Sequence, residues 1–439
     1  MSERNRGMGH IVLCLLLLAL GIERSSAMEL ARRAYLGAAI EPEGTRLLIK
    51  SVFPGGTAEA AGITPGDALI RIDDAPIGGP EELGRVLRRY RAGDRAAFLV
   101  ERAGTPIRTS AVFKPRPLES SPEFDVLYDA VIVNGAKHRV IVTRPNGAGP
   151  FPAVLLIGGL GCYSLDALQP TSPYHFILYG LTRKGFVTMR VEKTGEGDSE
   201  GPPCRSPEAD LQFAVARSVE GLRALKRYGF VDPKQVFVFA HSIGPLEGVV
   251  AINQEPVAGM IAAETIGRDW LSYHTEIAYS QPLLLGKPYD AVEAEARAHA
   301  LCNARFYIQK QTPEMLAREA PECLDKLPLS AVSHRYLQQI GELQSAEQWK
   351  AADVPVLVTY GTSDPTTDER ESRYLVDMIN SFHPGRASYV QIEGMNHYFD
   401  REPSKKDGLL VLRGEKTAGD FEAAMLTGVE RWLDERLRR

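Results

Sequence analysis

The sequence predicts an α/β protein: a mostly parallel sheet flanked by helices, carrying a helical insertion and preceded by a small β-rich module. Three observations predict it. Beyond residue 124, short runs of Val, Ile, Leu and Phe alternate with helical patterns, and strands apolar on both faces belong to sheets covered on both sides. The stretch Lys114-Pro115-Arg116-Pro117-Leu118-Glu119-Ser120-Ser121-Pro122 reads as a Pro- and Ser-rich linker between two segments of different character. Residues 265 to about 350 then read as helical without a strong strand. The chain has 439 residues, of which 44% are hydrophobic and 24% charged, with a formal net charge of -5. That balance excludes collagen-like, disordered and multi-span membrane classes, and it lacks the basic excess of a nucleic-acid binder.

At the start, Arg4 and Arg6 precede an apolar run from Ile11 to Ile22, followed by Ser25-Ser26-Ala27. The run is short for a bilayer span and reads as a signal peptide over residues 1–27, which predicts a periplasmic or secreted protein with no stable membrane span after cleavage. Five cysteines are present, and only Cys14 lies in that segment. Cys162, Cys204, Cys302 and Cys323 are an even number in an exported chain and predict two disulfides, with three pairings open. Neither CxxC nor HExxH spacing occurs, so no metal site is expected.

Residues 32–116 contain short β-type runs over Arg46–Val52, Ala68–Ile72, Ala96–Glu101 and Thr109–Phe113. A helical pattern spans Pro80–Arg91, with Leu83, Val86 and Leu87 on one face. Tyr35-Leu36-Gly37-Ala38, Ser51-Val52-Phe53-Pro54-Gly55-Gly56-Thr57-Ala58 and Ala61-Gly62-Ile63-Thr64-Pro65-Gly66-Asp67 resemble a PDZ domain of the kind attached to periplasmic serine proteases. The resemblance implies that amides of the Tyr35–Ala38 loop converge on a peptide C-terminal carboxylate. The peptide then adds as a strand beside Arg46–Val52, against the 80–91 helix. Ala38 is smaller than the apolar wall this family usually offers, and a module that packs on its neighbour and binds nothing is the rival reading.

After a linker at 117–123, strands are expected over Val126–Val133, Arg139–Thr143, Ala153–Ile157, Val187–Val191, Val236–Ala240, Ala258–Ala263, Val354–Tyr360 and Tyr389–Ile392. Helices are expected over Glu208–Tyr228, Leu246–Ile252, Glu369–Ile379 and Ala418–Leu437. The nucleophile-elbow pattern G-x-S-x-G is complete at Gly197-Asp198-Ser199-Glu200-Gly201 and near-complete at Ala240-His241-Ser242-Ile243-Gly244. Context selects Ser242. An elbow needs a strand running straight into a strained turn and then a helix, and Ser242 lies between Val236–Ala240 and a helix-competent run in which Pro245 sits near the start. Ser199 instead follows a glycine-rich loop and precedes Pro202-Pro203, which bars an immediate helix.

Asp364 follows Val354–Tyr360 at the carboxyl end of a buried strand, where ligands gather in open α/β sheets. Asp368 is its reserve. His397 follows the last strand, with His383 in reserve, while His241 is expected to pack or orient the turn. Leu155-Leu156-Ile157-Gly158-Gly159-Leu160-Gly161 ends a strand in a glycine-rich loop, where an amide of Gly159 or Leu160 can face that of Ile243 across an oxyanion hole. A dinucleotide loop is the rival reading of Gly159-x-Gly161, but Ser164 stands where the third glycine belongs. No cofactor is expected.

Residues 124–439, through Ile157-Gly158-Gly159, Gly195–Gly201, the Ser242 elbow, Asp364 and His397, resemble the α/β-hydrolase superfamily near its serine-aminopeptidase-like and dienelactone-hydrolase-like branches. Two positions depart from it: Ile157 stands where His usually precedes the glycine, and Ala240 replaces Gly. On that architecture Cys162 and Cys204 meet at the rim of the site, and Cys302 and Cys323 close a loop within a helical cap over about 265–350. Trp270, Tyr273, Tyr279 and Tyr289 of the cap are expected as an apolar or mixed wall. The resemblance implies acyl transfer to water through Ser242, His397 and Asp364, with a carboxylic ester as first substrate class. A serine peptidase of the aminopeptidase-like kind is the alternative, and a catalytically idle peptide-binding scaffold is the rival from another class.

Overall fold

The computed structural model describes residues 30–438 apart from Thr45, and the signal segment expected at 1–27 lies outside the described residues. In the N-terminal module, five strands lie in chain order across an antiparallel sheet: Ala38–Glu43, Arg46–Val52, Ala68–Ile72, Arg95–Arg102 and Thr105–Val112. Their inward residues, with Val86 of the helix Pro80–Leu87, bury Leu47, Ile49, Leu69, Ile72, Phe98 and Val100 in one core. The helix is shorter than the 80–91 pattern because the Arg89 and Tyr90 amides turn back onto the carbonyls of Val86 and Leu87.

One expectation is corrected here. Arg46–Val52 is not a free edge, because it pairs on one side with Ala38–Glu43 and on the other with Ala68–Ile72. Among the described residues, the open edge beside the helix is Ala38–Glu43, which has unpaired backbone to offer an added strand.

The larger domain is built on eight strands. In spatial order they are Ala387–Ile392, Val356–Gly361, Gly259–Ala263, Val231–His241, Phe151–Ile157, Val187–Val191, Ala136–Arg144 and Asp125–Val133. Every neighbouring pair is parallel except the two made by Ala136–Arg144, so a single strand runs against the others. Apolar side chains on both faces give two cores. Leu222, Val249, Leu375 and Ile379 pack on one face, and Ile177, Leu181, Val429 and Leu433 on the other.

Between Gly259–Ala263 and Val356–Gly361 the chain forms the cap, with helices at Trp270–Leu284, Tyr289–Asn303, Pro313–Glu319, His334–Glu342 and Ser345–Ala351. Disulfides join Cys162 to Cys204 and Cys302 to Cys323. No helix among the described residues is long and apolar enough to cross a membrane.

The two domains are joined by more than their linker. The Arg32 guanidinium lies 2.6 Å from Asp166 and 2.5 Å from Asp198, both carboxylates being buried. Asp198 also accepts from Arg139 Nε at 3.0 Å and from the Arg33 amide at 2.7 Å. Arg33 reaches the carbonyls of Gly197 and Ser199, while Arg139 donates to the Leu30 carbonyl. The linker is held as well: Glu119 accepts from Tyr179, Arg190 and the Leu168 amide, which makes it an anchored strap rather than a free spacer.

Candidate active site

Ser242 sits where the strand Val231–His241 meets the helix Gly244–Gln254. Its φ of 62° is a conformation that a non-glycine residue adopts only when its surroundings hold it there. The Ser242 amide donates to Ala263 O at 2.9 Å, and its carbonyl accepts from Thr265 Oγ1 at 2.7 Å. The tight crossing explains Gly244: a Cβ there would lie 2.5 Å from the Ile157 carbonyl oxygen.

His397 lies on the loop after the last strand, with Nε2 2.9 Å from Ser242 Oγ and Nδ1 2.8 Å from Asp364 Oδ2. Asp364, after Val356–Gly361, also accepts from the Thr366 and Thr367 amides and from Thr367 Oγ1. Burial works to raise its pKa, but the charge and hydrogen bond of His397, with Thr367, hold it below the usual carboxylate value. The imidazole therefore faces an ionised acid on one side and a hydroxyl on the other.

Residues 154–405 match the alpha/beta hydrolase family, and residues 34–111 match the PDZ domain. The chain belongs to the alpha/beta hydrolase family. Esterase EstD of Thermotoga maritima is 30% identical to it over 69% of this chain and 66% of that protein. The magnetosome formation protease MamE of Paramagnetospirillum magneticum is 30% identical over 46% of this chain and 28% of its own length. The match thus spans just under two thirds of the esterase and less than a third of the protease. Among solved structures, Est1E from Butyrivibrio proteoclasticus aligns with a TM-score of 0.45 at 15% identity, over 72% of this chain and 99% of that one.

The rejected candidates of this alpha/beta hydrolase have other work. Ser199 is buried in the 195–201 loop, and its Oγ accepts from the Arg139 amide. Asp368 caps the helix Glu369–Phe382 through the Glu371 amide, and His383 Nε2 lies 2.9 Å from the Lys350 carbonyl. His241 orients its neighbours: Nε2 is 2.8 Å from the His397 carbonyl and Nδ1 2.7 Å from Tyr174 OH. A carbonyl only accepts, so the His241 proton sits on Nε2, Tyr174 donates to Nδ1, and the Tyr174 oxygen accepts from the Gly159 amide at 3.0 Å. Burial, then the nearby His397, pushes the His241 pKa down to about 3, which keeps this ring neutral.

That chain occupies the Gly159 amide. No hydrogen-bond acceptor is found among the described residues for the amides of Leu160 or Ile243. Gly159 itself packs against Ser242, since a Cβ on it would lie 3.2 Å from Ser242 Cβ.

Ser242 and His397 open into a cavity of about 550 Å³, walled by Leu160, Ile243, Ile266, Trp270, Tyr273 and Tyr398 among others. Trp270 and Tyr273 are therefore wall residues. Tyr279 and Tyr289 are 40% and 80% exposed and do not line it. The one carboxyl in the lining, Glu264, is driven well above its usual pKa by burial and then by Asp364 beside it.

The Tyr35–Ala38 loop lines a separate groove of about 340 Å³ together with Ile40, Leu83 and Leu87. Gly37 has φ 73°, and Arg33, Arg88 and Glu196 stand at the groove's border with the larger domain. Sequence reasoning missed Tyr174, Lys193 and Glu264. Lys193 and Glu264 each follow a strand's carboxyl end, which is the one signal that could have flagged them.

Proposed function

We propose that this protein is an exported serine hydrolase that cleaves a neutral carboxylic ester, with Ser242 as nucleophile, His397 as general base and Asp364 as the acid that orients it. The observation that carries the reading is the unbroken line of two hydrogen bonds, 2.9 and 2.8 Å, running from Ser242 Oγ through His397 to a buried carboxylate. As Oγ attacks the acyl carbon, its proton passes to His397 Nε2. The growing imidazolium is stabilised by ionised Asp364, which also fixes the tautomer by accepting from Nδ1. Negative charge gathers on the former carbonyl oxygen, which the Leu160 and Ile243 amides meet. His397 returns the proton to the leaving alcohol, leaving an acyl-enzyme, and water then repeats the sequence.

The cavity favours an ester over an amino-terminal peptide. Its volume suits a small organic acyl or alcohol group. The one carboxyl in the lining, Glu264, is pushed toward its neutral form by burial and by Asp364, and its oxygens already accept from Thr359 Oγ1 and the Gly361 amide, which makes it a poor holder for an ammonium. The two disulfides support an oxidising compartment. The PDZ groove supports capture of a peptide C-terminus beside Ala38–Glu43.

The test is turnover of p-nitrophenyl acyl esters against aminoacyl anilides. Wild type is expected to prefer esters, and Ser242→Ala to lose about 10⁴–10⁶-fold in kcat. Preference for anilides, or an active Ser242→Ala, contradicts the reading.

A further inference from the structure

Lys193 has no part in the proton transfers above, yet it is aimed at the loop that faces the nucleophile. Its Nζ donates to the carbonyl of Gly159 at 2.7 Å and to that of Gly161 at 2.6 Å, and it lies 4.0 Å from the centre of the Tyr163 ring. Tyr163 OH adds a bond to the same Gly159 oxygen at 3.1 Å. These two carbonyls flank Leu160. The Gly159–Leu160 peptide is trans, so its C=O and N–H point in opposite directions. Holding the Gly159 oxygen on the Lys193 side therefore turns the Leu160 N–H away from the ammonium, and Leu160 lines the cavity into which Ser242 opens. The Gly159 N–H is meanwhile tied to Tyr174 and cannot compete for that role.

We infer that Lys193 is the positioning residue of the oxyanion hole: its ammonium clamps the carbonyls of Gly159 and Gly161, aims the Leu160 amide at the developing oxyanion, and strengthens that amide as a donor by polarising its peptide group. The inference rests on Ser242 being the nucleophile. The Cys162–Cys204 disulfide tethers the same loop at its far end, so the clamp acts on a segment fixed at both sides.

Charge matters to the clamp. A neutral amine still donates hydrogen bonds but polarises the peptide far less. Burial, followed by the nearby Arg217, lowers the Lys193 pKa to about 7, while Glu247, Glu196 and Glu192 work to raise it. Glu192 is itself pushed up to about 7 by burial. The clamp is charged below that pH and neutral above it, so its contribution to kcat is lost as pH rises through the Lys193 titration, opposite in sign to the gain from freeing His397 as the base.

The experiment measures kcat and KM of the full chain on a p-nitrophenyl ester across that pH range, for wild type, Lys193→Met and Lys193→Arg. Melting temperature and disulfide content serve as folding checks. Lys193→Met is expected to lose about 10²-fold in kcat, the scale of losing one oxyanion donor, with KM changed less than about threefold. The ratio of wild-type to Lys193→Met kcat, in which the His397 titration cancels, is expected to decline above pH about 7. Lys193→Arg should recover part of kcat and move that decline to higher pH. A folded Lys193→Met enzyme with wild-type kcat, or a loss confined to KM, overturns the inference. If Lys193→Met does not fold, a ratio of wild-type to Lys193→Arg kcat that stays level through the Lys193 titration overturns it instead. A wild type that turns over no ester and takes no fluorophosphonate fails at Ser242 first and removes both claims, whereas an active, clamp-independent enzyme removes this one alone.

Discussion

Replacing Arg32 by Ala removes the cation that lies between two buried carboxylates of the hydrolase domain. Asp166 and Asp198 stay behind with side chains 0% and 1% exposed, while Arg32 itself is 13% exposed. Removing one partner of a buried ion pair typically costs about 3–5 kcal/mol, because the remaining charge has lost its compensation. Here the lower end applies. Asp198 keeps Arg139 and the Arg33 amide, and Asp166 keeps the Tyr128 hydroxyl at 2.6 Å. With an unfolding entropy of about 2.1 cal/mol/K per residue, a loss of about 3 kcal/mol lowers Tm by about 3 °C for a chain of this size. Scanning calorimetry on Arg32→Ala, and on Arg32→Ala with Asp166→Asn, measures it. The second change neutralises one stranded charge and is expected to restore part of the loss. An Arg32→Ala protein that melts with wild type, or a double variant that is merely the sum of its parts, refutes the argument. The same geometry makes deletion of the PDZ domain destabilising, since residues 30–33 leave with it. Ile40→Asp, in the groove and away from the latch, is the cleaner probe of peptide binding: it is expected to abolish binding at a smaller cost in Tm than the deletion, because Ile40 is only partly buried against the PDZ core.

Gly159→Ala places a methyl group 3.2 Å from Ser242 Cβ and 3.5 Å from His241 Nδ1, so Ser242 must shift by a few tenths of an ångström. An approximately tenfold fall in kcat with a near-normal Tm is expected, and unchanged turnover contradicts the contact. Paired Cys162→Ser and Cys204→Ser open a loop with a sequence separation of 42. Chain entropy puts the stability loss at about 4 kcal/mol, readable by urea denaturation, and an unchanged midpoint argues against it. His274, packed against Trp270 in the cap, has its pKa lowered to about 4 by burial and then by His299. The stability it contributes is complete above its unfolded value of about 6.5 and is lost as pH falls through about 4. Hydrogen exchange in the cap should rise over that window and rise less in His274→Phe; an identical rise in both refutes the assignment.

The sheet of the larger domain was legible because its strands are doubly buried, which leaves continuous apolar runs such as Val236–Ala240 and Val187–Val191. That Ser242 and not Ser199 meets His397 was legible from the strand, turn and helix around it, although Ser199 carries the fuller pattern. Strand pairing in the PDZ domain was not. Whether Arg46–Val52 is an edge depends on Ala38–Glu43 folding over it, and nothing in either run encodes that contact. The latch was invisible for a similar reason, since Arg32 and Asp198 are 166 residues apart and neither stands in a pattern. The helix expected from Ala418 begins only at Ala423, because the Gly419 amide and Asp420 carbonyl are taken by Glu402 and Arg401. Lys193 reads in the sequence as one more loop cation, and only the carbonyls it meets give it a role.

The most direct test is to treat the protein with a fluorophosphonate and locate the adduct by peptide mass mapping. A single phosphonyl group is expected on the peptide carrying Ser242, absent in Ser242→Ala and slowed in Asp364→Asn. An adduct on Ser199, or no adduct on a folded protein that still hydrolyses esters, would contradict it.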